Sequence, residues 1–331
     1  MRVFLGALCV VLASLLAWIG LRPAPQSGGQ FSGVDIVFLI GGAPGQSFSD
    51  SVHHGVRAAE RDLGCNVTVR WTHWERDRLL TQLKTAIALE PDGICLMGFP
   101  GQEAMGPLVD EAVRQGIVVT SWNTAIPDME DQYRRFGFGF AGQDGYSAGH
   151  ALAAKALAKS GISAPARVLV VGSASVPGRG QRAEGCLAAL REAGLTPDYI
   201  DLPQALAATP PRNHEDVFLE YLAEHPDVAL VLQDAASVAE SARLLAEAGH
   251  APGAVFLAGF DVTAENLAAI ESGYCGLLLD QQEFLEGYLA VLQVCFSRRL
   301  GVTGLNIETT GGFVDETNLD DFKRLFVERR Q

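Results

Sequence analysis

From Val34 onward, short apolar runs alternate with longer amphipathic stretches, and this rhythm limits what the chain can become. Residues 34–40 read as a buried strand ended by Gly41-Gly42, then a helix from about Asp50 to Leu63 that Gly64 stops. Strand 66–71, helix 77–89, strand 94–97, helix 103–115 and strand 117–121 complete a first set. The pattern then restarts with strand 136–140, helix 146–159, strand 167–171, helix 181–193 and strand 199–202. Helix 215–224, strand 228–232, helix 237–248, strand 254–258, helix 264–271 and strand 276–279 close that set, and a long helix at about 284–298 precedes a terminal segment. Strands that are apolar throughout are covered on both faces, as in parallel sheets whose crossovers are helices. The expected fold class is therefore α/β, with two doubly wound parallel-sheet lobes. In such sheets ligands collect at the carboxyl ends of the strands.

Length and charge fit that reading. The 331 residues exceed one typical domain. A formal net charge of −14 argues against nucleic acid or an anionic membrane surface as the main partner, since either would repel the chain.

The N-terminus carries a second message. Arg2 precedes an uncharged apolar run at 3–21, followed by Arg22 and a Pro/Gly/Ser-rich stretch at 23–33. A charged start before an apolar run reads as an export segment, either cleaved or retained as a membrane anchor. Both alternatives put the body in the periplasm or otherwise outside the cytoplasm. Beyond Cys9, the five cysteines Cys65, Cys95, Cys186, Cys275 and Cys295 are widely spaced, with no C-x-x-C and no histidine at ligand spacing. Most read as small buried hydrophobes rather than a zinc site; an oxidising compartment permits a disulfide, though five cannot all pair within the chain. No metal and no cofactor is expected.

Two motifs tempt and fail on context. Gly145-Tyr146-Ser147-Ala148-Gly149 matches the G-x-S-x-G elbow of serine hydrolases, which needs its serine on a sharp turn directly after a strand. Here Gln143-Asp144 intervenes, and Asp144 looks like a helix N-cap with Ser147 already in the first turn. Gly178-Arg179-Gly180-Gln181-Arg182-Ala183 matches a dinucleotide fingerprint, but residues 172–177 separate it from its strand. Adjacent His53 and His54 point about 100° apart on a helix and read as solvated surface rather than metal ligands. Trp71, His73 and Trp74 could equally form a packing cluster or a wall of the cleft.

Several segments together resemble the periplasmic sugar-binding proteins of the ribose-binding type, the substrate-binding components of ABC transporters. They are Gly45-Gln46-Ser47-Phe48-Ser49-Asp50, Pro91-Asp92-Gly93-Ile94, Gly98-Phe99-Pro100-Gly101, Thr120-Ser121-Trp122-Asn123-Thr124, Gly142-Gln143-Asp144-Gly145, Arg182 with Glu184-Gly185, Gln233-Asp234 and Gly259-Phe260-Asp261. The ordered series runs from about Val34 to Gly312. The resemblance implies a type I periplasmic binding protein fold, whose two lobes share a three-strand hinge and close on ligand. It implies a first lobe of 34–141 with 282–306 and a second of 142–281 with 307–331. It also implies ligand contacts at Phe48, Asn123, Asp234, Asp261 and Gln281, with Arg179 or Arg182 as a further candidate. Ser49 stands where a second aromatic is usual, Trp122 could compensate for it, and Thr124 replaces an arginine of the ribose binders.

The physical case runs parallel. Sugar hydroxyls need fixed donors and acceptors, while the C–H faces of a sugar ring suit aromatic walls. Two aspartates in one cleft would repel an anion, so the expected guest is a neutral sugar or polyol. The expected role is capture, without catalysis, for an ABC transporter membrane permease. The export segment keeps two other readings open: a membrane-tethered sensor that signals to a receptor or kinase, and a secreted serine hydrolase acting through Ser147.

Overall fold

The computed structural model describes residues 29–207, 210 and 212–328. The apolar run at 3–21 lies outside the described residues, among which no helix is long and apolar enough to cross a membrane. The chain forms two six-stranded sheets. In the first lobe β1 (Asp35–Ile40), β2 (Asn66–Trp71), β3 (Gly93–Leu96), β4 (Val118–Trp122) and β5 (Gly139–Gly142) alternate with helices α1 (Ser47–Leu63), α2 (Arg76–Ala88), α3 (Gln102–Arg114) and α4 (Pro127–Tyr133).

The second lobe runs through α5 (Gly145–Ser160), β6 (Arg167–Gly172), α6 (Gln181–Glu192), β7 (Asp198–Asp201), α7 (Leu202–Leu206) and α8 (His214–Glu224). It continues through β8 (Val228–Gln233), α9 (Val238–Glu247), β9 (Phe256–Phe260), α10 (Ala264–Glu271) and β10 (Cys275–Leu279). The chain then returns to the first lobe as α11 (Glu283–Leu300) and β11 (Asn306–Glu308), and ends in the second as β12 (Phe313–Val314) and α12 (Leu319–Glu328).

The strand orders are β11-β5-β4-β3-β1-β2 and β12-β10-β9-β8-β6-β7, parallel except for β12 against β10. Each sheet reverses its winding once, at β1/β3 and at β6/β8, which opens a crevice at the carboxyl ends of those strands. The cores explain the uninterrupted apolar runs. Leu169 and Val171 of β6 pack into one cluster of the second lobe, while Val168 and Val170 pack into another. Successive strand residues point to opposite faces, so both faces are buried.

The boundaries differ from expectation in several places. The strand at 306–308 pairs in parallel with β5, so it belongs to the first sheet, and the third crossover falls at 309–312 rather than before 307. A three-residue Asn-Ile-Glu segment carries too little apolar signal to be assigned a sheet. Helix α1 starts at Ser47, three residues before Asp50, because Gly45 turns the chain at a φ of 87°. Pro127 opens a short helix that the strand-and-helix rhythm does not announce, and β5 begins at Gly139 instead of Phe136. Cys65, Cys95, Cys186, Cys275 and Cys295 are all buried and unpaired by disulfide. His53 and His54 are half-buried rather than solvated, with the His53 ring edge-on to Trp71 at 5.3 Å.

Candidate ligand site between the lobes

The two crevices face each other across a cavity of about 470 Å³, within the range usual for small-molecule sites. The lobes meet around it. Ser47 Oγ donates to Glu265 Oε2 at 2.9 Å across the mouth, joining α1 to α10. Nearer the hinge, a Cβ on Gly101 would stand 2.9 Å from Pro177, and one on Gly178 would stand 3.0 Å from Thr124. Glycine at both positions permits this approach, and their φ values of 85° and 72° suit glycine as well.

Of the residues singled out from sequence, Phe48, Asn123, Arg179, Arg182, Asp234, Asp261 and Gln281 line this one cavity. Trp122 does not. It is fully buried under the sheet, between Phe38 at 5.3 Å and Phe48 at 6.4 Å, and backs the cavity wall without touching the space. The aromatic corner that faces the cavity is Phe48 with Trp74, ring centres 5.8 Å apart. Trp74 Nε1 donates to Gln46 Oε1 at 3.0 Å, and the Arg179 guanidinium lies 5.2 Å over its ring. Of Trp71, His73 and Trp74, only Trp74 lines the cavity. Ser49, Phe260 and Glu265 also line the cavity.

The polar groups hang directly from strand ends. Asn123 follows β4, Asp234 follows β8 and Asp261 follows β9. Asn123 and Asp261 hold positive φ values of 57° and 76°, a region that non-glycine residues enter at a cost and keep where a site demands it. Thr263, not Asp261, caps α10 by accepting the Asn266 N–H, which leaves the Asp261 carboxyl to the cavity. Burial raises that carboxyl above the usual aspartate range, against the pull of Arg182.

Arg182 Nε stands 2.7 Å from Asp234 Oδ1, an ion pair with side chains 14% and 1% exposed. The contact lacks hydrogen-bond alignment, so neither Asp234 oxygen has a hydrogen-bond partner, and Ser49 Oγ, on the first lobe's side of the lining, has none either. Arg182 Nη1 also donates to Gln281 Oε1 at 3.0 Å, and its guanidinium covers the Phe260 ring at 4.6 Å. The cavity thus offers a carboxylate that is ion-paired on one side yet accepts no aligned hydrogen bond, beside aromatic faces.

Ser147, the nucleophile of the rejected elbow, sits exposed in the first turn of α5, where its backbone N–H donates to Asp144 Oδ1 at 2.8 Å. Its motif has a packing explanation: a Cβ on Gly149 would overlap the Arg182 carbonyl on α6. Among the described residues, no group of three His, Cys, Asp or Glu side chains could hold a metal ion.

Behind the cavity, α11 begins with two buried glutamates, Glu283 and Glu286. Burial pushes both carboxyls well above the usual range. An acid whose folded pKa is raised binds its proton in the native state after the unfolded chain has lost it. Stability then falls as pH rises from the ordinary glutamate range toward the folded pKa. Glu283 Oε1 has no hydrogen-bond partner, so Glu283→Gln should add roughly 1–3 kcal/mol to the ligand-free protein at alkaline pH and little in the acid range below the ordinary glutamate pKa. Urea unfolding across that interval checks it, and a gain of equal size at both ends would contradict it.

Comparison with known proteins agrees with this geometry. A family model described as a periplasmic binding protein domain matches residues 36–295. The xylose/arabinose-binding protein XylF of Sulfolobus acidocaldarius is 24% identical over 286 residues, covering 81% of this chain and 68% of its own length. Among solved structures, a carbohydrate transporter from Acidothermus cellulolyticus 11B in complex with myo-inositol is similar at a TM-score of 0.72 and 24% identity, covering 90% of this chain and 99% of the other. An ABC transporter solute binding protein from Agrobacterium vitis with bound D-fucose is similar at 0.73 and 18%, covering 86% and 97%. The order of strands, the three crossovers and the cleft between the sheets have their common explanation in that family, and the chain belongs to the periplasmic binding proteins.

Proposed function

We propose that this chain captures a neutral sugar or polyol between its lobes and presents it to the membrane permease of an ABC importer. Its family works outside the cytoplasm by binding, and the expected export segment agrees. The observation that carries the ligand class is the state of Asp234: a carboxylate only 1% exposed, on the cavity wall, whose oxygens accept no hydrogen bond. Buried acceptors of that kind call for donors from the guest, and sugar hydroxyls are donors. The Phe48–Trp74 corner supplies the face against which the C–H side of a ring packs.

An anionic guest is disfavoured. Asp234, Asp261 and Glu265 all line the space, and Arg182, one of its two arginines, is already held by Asp234 and Gln281. Hydrogen bonds to charged groups contribute about 1.5–3 kcal/mol each, and micromolar affinity needs about 8 kcal/mol, so three or four such bonds and one ring face suffice. The named ligands of its relatives, xylose or arabinose for one and myo-inositol and D-fucose for two others, point to the same class.

A thermal-shift screen against pentoses, hexoses, polyols and inositols tests the proposal. A cognate solute at about 100 times its Kd should add about 2.7 kcal/mol of stability. Stabilisation by sugar acids or sugar phosphates, with none from neutral compounds, would overturn it.

A further inference from the structure

Glu286 is fully buried in the first turn of α11, where an acid that merely favoured the helix dipole would sit in solvent. Its two carboxyl oxygens lie 3.4 and 3.2 Å from Asn123 Nδ2, and the same amide nitrogen reaches Gln281 Oε1 at 3.3 Å. The donor end of Asn123 is therefore spent on the protein. Its carbonyl end, Oδ1, accepts only the hydroxyl of neighbouring Thr124 at 3.3 Å and is the end left for a guest. Gln281 is spent as well. Its Nε2 donates to Asp261 Oδ1, and its Oε1 accepts from Arg182 Nη1 at 3.0 Å.

One hydrogen-bonded chain thus runs from Glu286 through Asn123 in the first lobe, through Gln281 in the crossover, to Asp261 and Arg182 in the second lobe. Gln282, next to Gln281, is held at a φ of 58°, so the crossover itself takes a conformation that needs support from its surroundings.

We infer that Glu286 is a positioning residue for ligand recognition: it fixes the orientation of the Asn123 amide, so that a carbonyl acceptor meets the guest, and through Gln281 it sets the register of the two lobes' binding groups. The inference rests on the sugar-binding proposal and deepens it. It makes the ligand group at Asn123 a hydroxyl acting as donor. An amide in the opposite orientation would select an acceptor there.

The test uses the full chain and has two arms. In the first, without any sugar, selective ¹⁵N labelling follows the side-chain amide protons of Asn123 and Gln281. Slow exchange at Asn123 is expected in the wild type and in Glu286→Gln, and clearly faster exchange in Glu286→Leu, where Gln281 Oε1 alone is left to accept. Fast exchange at Asn123 in the wild type would overturn the inference. In the second arm, myo-inositol and D-xylose are titrated. Glu286→Leu should bind about ten- to a hundredfold more weakly, and adding Asn123→Ala to it should cost little more, because the two act as a unit. Wild-type affinity in Glu286→Leu, or additive losses, would overturn the inference.

Should Glu286→Leu fail to fold, Asn123→Asp keeps the question open to test. It sets a second carboxyl against Glu286 and should lose binding, and Glu286→Gln added to it should restore much of what was lost. No restoration would count against the pair. If neither sugar binds the wild type, the choice of these two sugars is what fails, the solute found in the screen takes their place, and the amide exchange decides the role of Glu286 on its own.

Discussion

Asp234→Ala is expected to abolish the stabilisation that the cognate sugar gives the wild-type protein. The side chain is 1% exposed, and neither oxygen accepts a hydrogen bond within the protein. Two guest hydroxyls donating to it would contribute about 1.5–3 kcal/mol each, so the substitution should weaken binding by about two to four powers of ten. Part of the loss reaches the ligand-free state, because Arg182 is left partly buried without its counter-charge. Gln281 Oε1 and the Phe260 ring still hold that guanidinium, so the fold survives. Asp234→Asn separates the two contributions. It keeps the volume and one carbonyl acceptor but removes the charge, and should bind with intermediate affinity. Calorimetric titration with the sugar found in the screen measures both variants. Undiminished affinity in Asp234→Ala would remove the observation on which the ligand class rests.

Much of the fold was legible because parallel strands buried on both faces are written as continuous apolar runs, and the glycines that stop helices, such as Gly64 in its left-handed conformation, mark where each run ends. The gathering of the candidate site residues on one cavity was legible for a related reason. Asn123, Asp234 and Asp261 are the residues immediately after their strands, where a doubly wound sheet presents side chains to the crevice.

What escaped was side-chain direction. Trp122 and Asn123 are neighbours, but consecutive positions at a strand end point to opposite sides, so one aromatic went under the sheet while its polar neighbour reached the cavity. The aromatic that does face the cavity, Trp74, is turned there by two successive residues with positive φ, His73 at 57° and Trp74 at 61°. Neither residue announces such a turn, since histidine enters that region only occasionally and tryptophan rarely. Glu286 was illegible as well. An acid in the first turn of a helix reads as an ordinary dipole partner, and only its complete burial against Asn123 separates it from one.

Gly149 gives the second large effect, and one whose sign is diagnostic. At a solvent-facing helical position, glycine to alanine stabilises by up to about 1 kcal/mol. Gly149 faces α6 instead, where a Cβ would overlap the Arg182 carbonyl oxygen, and reciprocally a Cβ on Gly185 would overlap the carbonyl of Tyr146 on α5. The two helices touch backbone to backbone through this pair, and no flexible side chain is available to yield. Overpacking costs typically 1–3 kcal/mol, and a clash with a rigid carbonyl belongs at the upper end. Gly149→Ala should therefore destabilise by about 2–3 kcal/mol net of the propensity gain, lowering the melting temperature by roughly 5–10 °C. The displaced backbone is that of Arg182 itself, whose side chain reaches Asp234 and Gln281 in the cavity, so sugar affinity should fall together with stability. Thermal melts and titration of the same variant check both. A stabilised Gly149→Ala with unchanged affinity would show that α5 and α6 are not in backbone contact, and the glycines of the elbow-like sequence would need another explanation.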